Sequence, residues 1–589
     1  MKYSILYVFL AFSALSSCTN QGGTPDNSSQ YPIQELFADY YEGRLQLYPL
    51  EATSSGDNRF NDLLPNVLSD EFQNKEKEFY AKFKSALGEY EYNTLSENNK
   101  TSYDILLWEC DIAIDGFQFH ADLMPIDQMW TPQLTLGQLA SGSSAQPFET
   151  IEDYNNWIQR VDRYLEWMTS AESNILKGIE EGFVLPKPLI EKVIPQLEAL
   201  DHGPVEQHLF YGPINNIPAS FSGEDKDRIR KEYSAMVKDK VIPAYKRIAA
   251  FFKEEYLPNG RNSSGISVLS DGAAYYDHLI KKITTTTMSA DEVHKIGLSE
   301  VSRLRTEMQK VMKQVEYKGD LDSFFGHVRD LKQLKPFDTA EEVIENFNQI
   351  HETMKPHLSA LFDLTPKSPF EVRRTEAFRE ASASAEYNPG SIDGTRPGIF
   401  YVPIPDIKNY NVVSDEDLFL HEAIPGHHYQ ISLQQENDLL PDFRKTLWYS
   451  AYGEGWALYS ESLGSELGLY TDPYQYFGML SAEMHRAIRL VVDTGLHAKG
   501  WTREEAIQYS LENEAESEAG IISEIERYMA MPGQALSYKI GQLKIIELRK
   551  KAEAKMGDRF DIKKFHNKVL ESGCLPLKIL EDKLNTWMS

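Results

Sequence analysis

The sequence predicts a large, mainly α-helical chain. Three observations carry that expectation. From about Tyr31 onward apolar residues recur at three- and four-residue spacing. Glu, Lys, Leu and Ala dominate those stretches. Strand–helix alternation, a Gly-rich phosphate loop and an internal repeat are all missing. The 589 residues are 41% hydrophobic, enough for a sizeable packed core, which excludes wholesale disorder. With 89 acidic against 60 basic residues the formal net charge is −29. That balance speaks against nucleic acid as a partner and against a polybasic membrane patch.

The elements follow in order. The N-terminus reads MKYSILYVFLAFSALSSC, with Lys2 as the basic region and Ile5 to Leu15 as the apolar run. The run is too short to span a bilayer comfortably and has signal-peptide architecture. Leu15-Ser16-Ser17-Cys18 resembles the bacterial lipobox. The resemblance implies a signal peptide over 1–17, lipid on Cys18, and a cell-envelope protein facing the periplasm or the exterior. The membrane would be met through that lipid only, and more than one acyl chain makes such anchoring stable. Residues 18–30 are polar and rich in Gly, Ser, Asn and Pro, as in a flexible tether. Residues 31–589 show no composition shift and are expected to form a single helical body. Its two halves could flank a cleft. Cys110 and Cys574 cannot make a disulfide framework, and whether they pair is open.

Within that body Tyr154–Ile179 is helical, with Trp157, Val161, Tyr164, Leu165, Met168 and Ile175 near one stripe. Glu224–Tyr256 and Ala290–Val315 behave alike. Pro213-Ile214-Asn215-Asn216 and Pro258-Asn259-Gly260 read as loops. Residues 387–405 break the pattern, and a β-prone run, Gly398 to Pro403, is bounded by prolines. Pro403 and Pro405 suit an edge strand, to which a peptide could add by main-chain hydrogen bonds. Tyr387, Arg396 and Tyr401 would then be substrate contacts.

The chemistry concentrates in LFLHEAIPGHHYQ, residues 418–430. Ser414 with Asp417 three residues on supplies a helix start. The helix delivers His421 and Glu422. A zinc-peptidase helix places two histidines at i and i+4 so that both face one ion, with the Glu beside the first activating water. Here i+4 is Pro425. His427 and His428 lie at i+6 and i+7, about 9 and 10.5 Å along an unbroken helix. Two ligands each about 2 Å from one zinc cannot be that far apart. The helix must therefore bend, and Pro425-Gly426 is a device for bending it. Under that reading His427 ligates, and His428 stands behind it or contacts substrate. The competing reading is three histidines in a polar surface turn.

YGEGWALYSE, residues 452–461, supplies a second helix. Glu454 lies between two glycines and is the candidate third metal ligand. Glu461, two turns on, either orients a ligating histidine or is a solvated acid. Taken with RYMAMPGQALSYKIG, residues 527–541, these motifs resemble the bacterial family known as domain of unknown function 885, over most of the chain beyond the tether. More distantly, His-Glu, Gly-His and Glu-Gly-x-Ala are similar to gluzincin peptidases such as thimet-like oligopeptidases and Taq-type carboxypeptidases. That resemblance implies a zincin-like helical body with a deep cleft and one zinc. It implies His421, His427 and Glu454 as ligands and Glu422 as the base. The two-residue widening of the first motif departs from the gluzincin pattern.

Arg486, Arg489, Asp493 and His497 share one helix face at spacings of three and four. They form either an interior anion site for a peptide carboxylate or an internal ion-pair network. Tyr538 either donates to a developing oxyanion or packs in the core. The expectation that emerges is a lipid-anchored, zinc-dependent peptidase acting on short peptides. Two imidazoles and a carboxylate also suit other divalent metals. The rivals are a non-catalytic peptide-binding lipoprotein and a metal-dependent hydrolase of another amide or ester.

Overall fold

A computed structural model describes residues 31–142, 144–376, 380, 383–391 and 396–589. The signal peptide, the tether and Cys18 lie outside the described residues. Helices make up most of the chain, and one small sheet interrupts them. A single hydrophobic cluster runs through the described chain from Ile33 to Met588. Among the described residues no helix is long and apolar enough to cross a membrane.

Local sequence explains the long helices. Ile151–Glu181 starts at a capping box, Thr150 with Asp153, and stops at Gly182, whose φ of 79° is left-handed. Its stripe of Trp157, Val161, Tyr164, Met168 and Ile175 is buried, with Leu165 at the margin and Trp167 added to it. Ala290–Gln314 starts at a second capping box, Ser289 with Glu292. The helical run from Gly223 continues to Asn259, through two wide π-turns at Met236–Val241 and Phe252–Tyr256. Each ends two residues before a proline, Pro243 or Pro258, whose ring crowds the turn before it and which has no N–H to give. The helix thus includes Pro258 and Asn259, which the sequence suggested as a loop. Leu209–Asn216, the other expected loop, is a 3₁₀ helix. Cys110 and Cys574 are buried and not joined.

The sheet has the order β1 (Phe370–Arg374), β3 (Gly398–Val402), β2 (Glu386–Asn388). β3 pairs parallel with β1 and antiparallel with β2. This corrects the edge-strand expectation: β3 is the central strand, and both its edges are taken. Pro403 and Pro405 follow the last paired residue, Val402, so their missing donors cost the sheet nothing. Phe400 is fully buried against Phe347 of helix Ala340–Leu361, which fixes the sheet beside the helices of the site.

Helix Pro473–Ala498 is the central strut. It packs along Ala290–Gln314 and touches Asp415–Glu422, Glu518–Ala530 and Ser537–Met556. Helix Ser450–Glu461 lies along Ser537–Met556 at glycine-to-glycine distance. A Cβ on Gly455 would stand 2.5 Å from the backbone of Gly541. Gly455 therefore serves helix packing.

Candidate metal centre

The first motif forms two helices, Asp415–Glu422 and His427–Gln435, joined by Ala423–Gly426. Ser414 occupies the cap position, but its side chain makes no capping bond. Asp417 is not a capping acid either; it is buried. The Ile424–Pro425 peptide is cis. At Gly426 the chain folds back over the end of the first helix. A Cβ there would stand 1.9 Å from the carbonyl oxygen of His421 and 2.3 Å from that of Leu420. Only glycine permits that approach. It brings His427 onto His421, with ring centroids 4.8 Å apart. Trp456 of the next helix donates from Nε1 to the Pro425 carbonyl at 2.8 Å, tying the turn to the element that carries Glu454.

One ligand atom from each of His421, His427 and Glu454 lies within 4.8 Å of the others. Glu454 Oε2 is 3.5 Å from Nε2 of His421 and 3.4 Å from Nε2 of His427. These separations exceed the roughly 2.7–2.9 Å of a charge-assisted hydrogen bond. Two ligands at roughly 2.1 Å on a tetrahedral ion are about 3.4 Å apart. The donor set therefore fits a divalent cation such as zinc. His421 and His427 are nearly buried, while Glu454 keeps 14% of its side-chain exposure, so the cluster opens on its side.

Glu461 accepts from Nδ1 of His421 at 2.7 Å, which directs Nε2 toward the cluster. Burial opposes positive charge on His421, but hydrogen bonds to Glu454 and Glu461 outweigh it and raise the imidazole to about 10. Burial would raise Glu454, yet the charges of His427 and His421 hold its carboxyl below the usual range. This negative potential favours a positive charge at Nε2, proton or metal. Burial pushes Glu422 up, against His421 and His427, whose charges act on its carboxyl. Asp417 is also pushed up by burial and by the charge of Glu461.

His428 turns away from the cluster. Its Nδ1 accepts from Tyr387 at 2.9 Å, and its ring packs on Phe370 of β1. Burial lowers it to about 4. Tyr401 alternates to the sheet face opposite Gly398, where β3 meets Tyr387 and His428. The structure thus does not bring Tyr401 to the cluster.

The Arg486–His497 stripe divides. His497 is fully buried; Nδ1 accepts from Ile266 N–H at 3.1 Å and Nε2 donates to the Tyr528 carbonyl at 3.0 Å. Burial lowers it to about 3, so it is a neutral strut between backbones and no substrate contact. Asp493 accepts from Tyr276 and from Gly533 N–H, not from an arginine. Arg489 donates to Tyr528 at 3.0 Å and Glu524 at 3.0 Å, which is the internal-network alternative. Arg486 faces the site: its charge acts on Glu422 and Asp417, and its Nε has no hydrogen-bond partner among the described residues. Tyr538 lies beneath both guanidinium groups, at 5.8 Å from that of Arg486 and 4.7 Å from that of Arg489. Burial and the Glu454 charge raise its hydroxyl.

Sequence reasoning missed Trp448 and Glu524. Trp448 stands 5.7 Å from His427, centroid to centroid. Glu524 gathers Arg489, Arg527 and Tyr528. Neither lies in a motif; an acid three residues before Arg527 was the only local signal.

The chain resembles solved proteins over nearly its whole length. One is described as a "putative lipoprotein" from Colwellia psychrerythraea: 28% identity, TM-score 0.86, covering 94% of this chain and 98% of that one. Another, from Shewanella oneidensis and described as of unknown function, has 18% identity and TM-score 0.74, covering 94% and 99%; that likeness shows the fold alone. No curated protein matches. The family model for "Bacterial protein of unknown function (DUF885)" matches residues 49–584, which contain all three motifs, and the chain belongs to that family.

Proposed function

We propose that this chain is a zinc-dependent peptidase of the bacterial cell envelope, anchored by lipid on Cys18 and acting on short peptides. The observation that carries the reading is the convergence of His421, His427 and Glu454, with the carboxylate at tetrahedral-ligand spacing from both imidazoles, beside a buried carboxyl on the same helix as His421. The distant likeness of the motifs to gluzincins agrees with it. The lipobox-like Leu15–Cys18 and the lipoprotein description of the Colwellia relative support the anchor.

A divalent cation bound there would supply Lewis-acid polarisation of a carbonyl and acidify water. The chain's own residues would do the rest. Glu461 holds His421 in the tautomer whose Nε2 can ligate. Glu422 takes a proton from the attacking water and returns it to the leaving amine; burial raises its carboxyl above the ordinary carboxylate range, as suits a group that must both accept and donate. Tyr538 offers its hydroxyl to the developing oxyanion. Arg486, whose charge acts on Glu422, is the cation we assign to a substrate carboxylate.

The test is elemental analysis of purified protein together with a peptide-library digest, with and without chelator. About one zinc per chain and chelator-sensitive cleavage are expected. Peptide binding without turnover, unaffected by chelator, would replace the reading with a binding lipoprotein.

A further inference from the structure

A cavity of about 480 Å³ shares one lining residue, Trp448, with the surroundings of the candidate centre. It lies between helices Asp70–Leu87, Glu97–Gly116 and Gly272–Thr284, and Trp448 closes one side. Its size is within the range of pockets that take small ligands. Tyr48, Tyr80, Trp108, Phe119, Tyr275 and Trp448 line it. Phe119 and Tyr275 stack at 5.0 Å, so part of that wall is a fixed aromatic surface.

Several charged groups of the wall are engaged by polar partners, while Lys282 and His278 also line it. Arg44 pairs with Glu51 at 2.8 Å and lies 3.6 Å from Glu109. Glu109 accepts from Tyr449, and Glu76 accepts from Tyr48. What the wall presents to a guest is therefore a set of ring faces, which favour aromatic partners, with the Lys282 ammonium and the His278 imidazole beside them.

Trp448 connects this cavity to the metal site. It lines the cavity, packs 5.7 Å from the His427 ring and is 43% exposed. Its indole lies over Gly453, where a Cβ would stand 2.1 Å from the ring, and the next residue is Glu454. A surface-exposed indole is thus held against one candidate ligand, His427, and against the residue before another, Glu454.

We propose that this cavity is a specificity pocket that takes a large aromatic side chain of the peptide next to the scissile bond. The inference rests on the peptidase reading and adds the substrate class. The test uses the zinc-loaded full chain and peptides acetyl-Ala-Ala-Xaa-Ala-Ala with Xaa as Phe, Gly or Asp. One methylene in an apolar pocket is worth roughly 10–200-fold, so kcat/KM for Phe is expected to exceed that for Gly by at least about 100-fold. Cleavage should adjoin the Phe. Ala113→Trp fills the cavity from one wall and Tyr275→Ala opens the other. Each should shrink the Phe-to-Gly ratio by about 10-fold or more. Calorimetry on Glu422→Gln measures binding of the Phe peptide without turnover. If that peptide binds and Ala113→Trp abolishes binding, the pocket stands, even if the wild type cuts nothing and the peptidase reading falls. Hydrolysis that does not favour Phe, or a preference that survives both variants, overturns the pocket and leaves the peptidase reading intact. Failure of the Phe peptide to bind also overturns it.

Discussion

Glu422 and Glu454 lie among the same imidazoles, Glu422 buried and Glu454 partly open, yet they are pushed in opposite directions. For Glu422 burial wins; for Glu454 the two histidine charges win. On the proposed reading, that contrast suits Glu422 to carry a proton and Glu454 to ligate. Glu422→Gln keeps shape and removes the titration. It should bind metal as the wild type does and lose roughly 10²–10⁴-fold in kcat. Normal hydrolysis by this variant would reject the base assignment. The histidine pair makes a second prediction. His427→Ala should abolish stoichiometric metal, whereas His428→Ala should retain it, because His428 is engaged by Tyr387 and Phe370. Equal metal content in the two variants would refute the choice of His427. The sequence made His427 a candidate through the Pro425-Gly426 bend. It did not reveal that His428 belongs to the sheet, since the partner that holds it is 41 residues away.

At the scale of elements, glycine sets the geometry. Gly426 lets one turn fold onto the carbonyl of His421, and Gly455 with Gly541 lets two helices touch. Gly541→Ala would place a Cβ 1.8 Å from the Ala451 carbonyl, one turn before Glu454. We expect it to lower stability by about 1–3 kcal/mol in urea unfolding and to weaken metal binding in parallel, because the Glu454 helix must shift. Unchanged metal affinity would mean that this crossing does not position Glu454. The arginine stripe carries a related lesson. Spacing placed Arg486, Arg489, Asp493 and His497 on one face, and they are on one helix. Their partners come from different neighbours: Glu524 and Tyr528 for Arg489, Tyr276 for Asp493, two backbones for His497. Periodicity identifies a face but not what covers it. β3 likewise showed its strand character in sequence, while its central place depended on two segments it meets only in the fold.

For the whole molecule, buried neutral histidines link stability to pH. His497 and His566 are both lowered by burial to about 3. The unfolded chain takes up protons near the ordinary 6.5, while the folded chain refuses them until about 3. The contribution of these two histidines to stability should thus decline as pH falls below about 6.5 and continue to decline toward about 3, while Asp415 and Asp493, raised by burial to about 8 and about 7, contribute in the opposite sense. The urea midpoint of His497→Gln should therefore rise relative to that of the wild type as pH is lowered from 7 to 4, because only the wild type loses the His497 contribution. A profile unaffected by the substitution would show that His497 does not titrate on unfolding.

The sequence by itself determined the helical class, the burial stripes, the types of residue able to hold a cation, and the point where the backbone between them must bend. Those are properties of local period and local chemistry. Tertiary packing alone decided that Nε2 of His427 meets Glu454, that His497 is a strut, and that an indole from a connecting segment stands beside the cluster. Each depends on contacts between segments far apart in the chain. Their distances are set by how whole helices pack, and no spacing in the sequence encodes that.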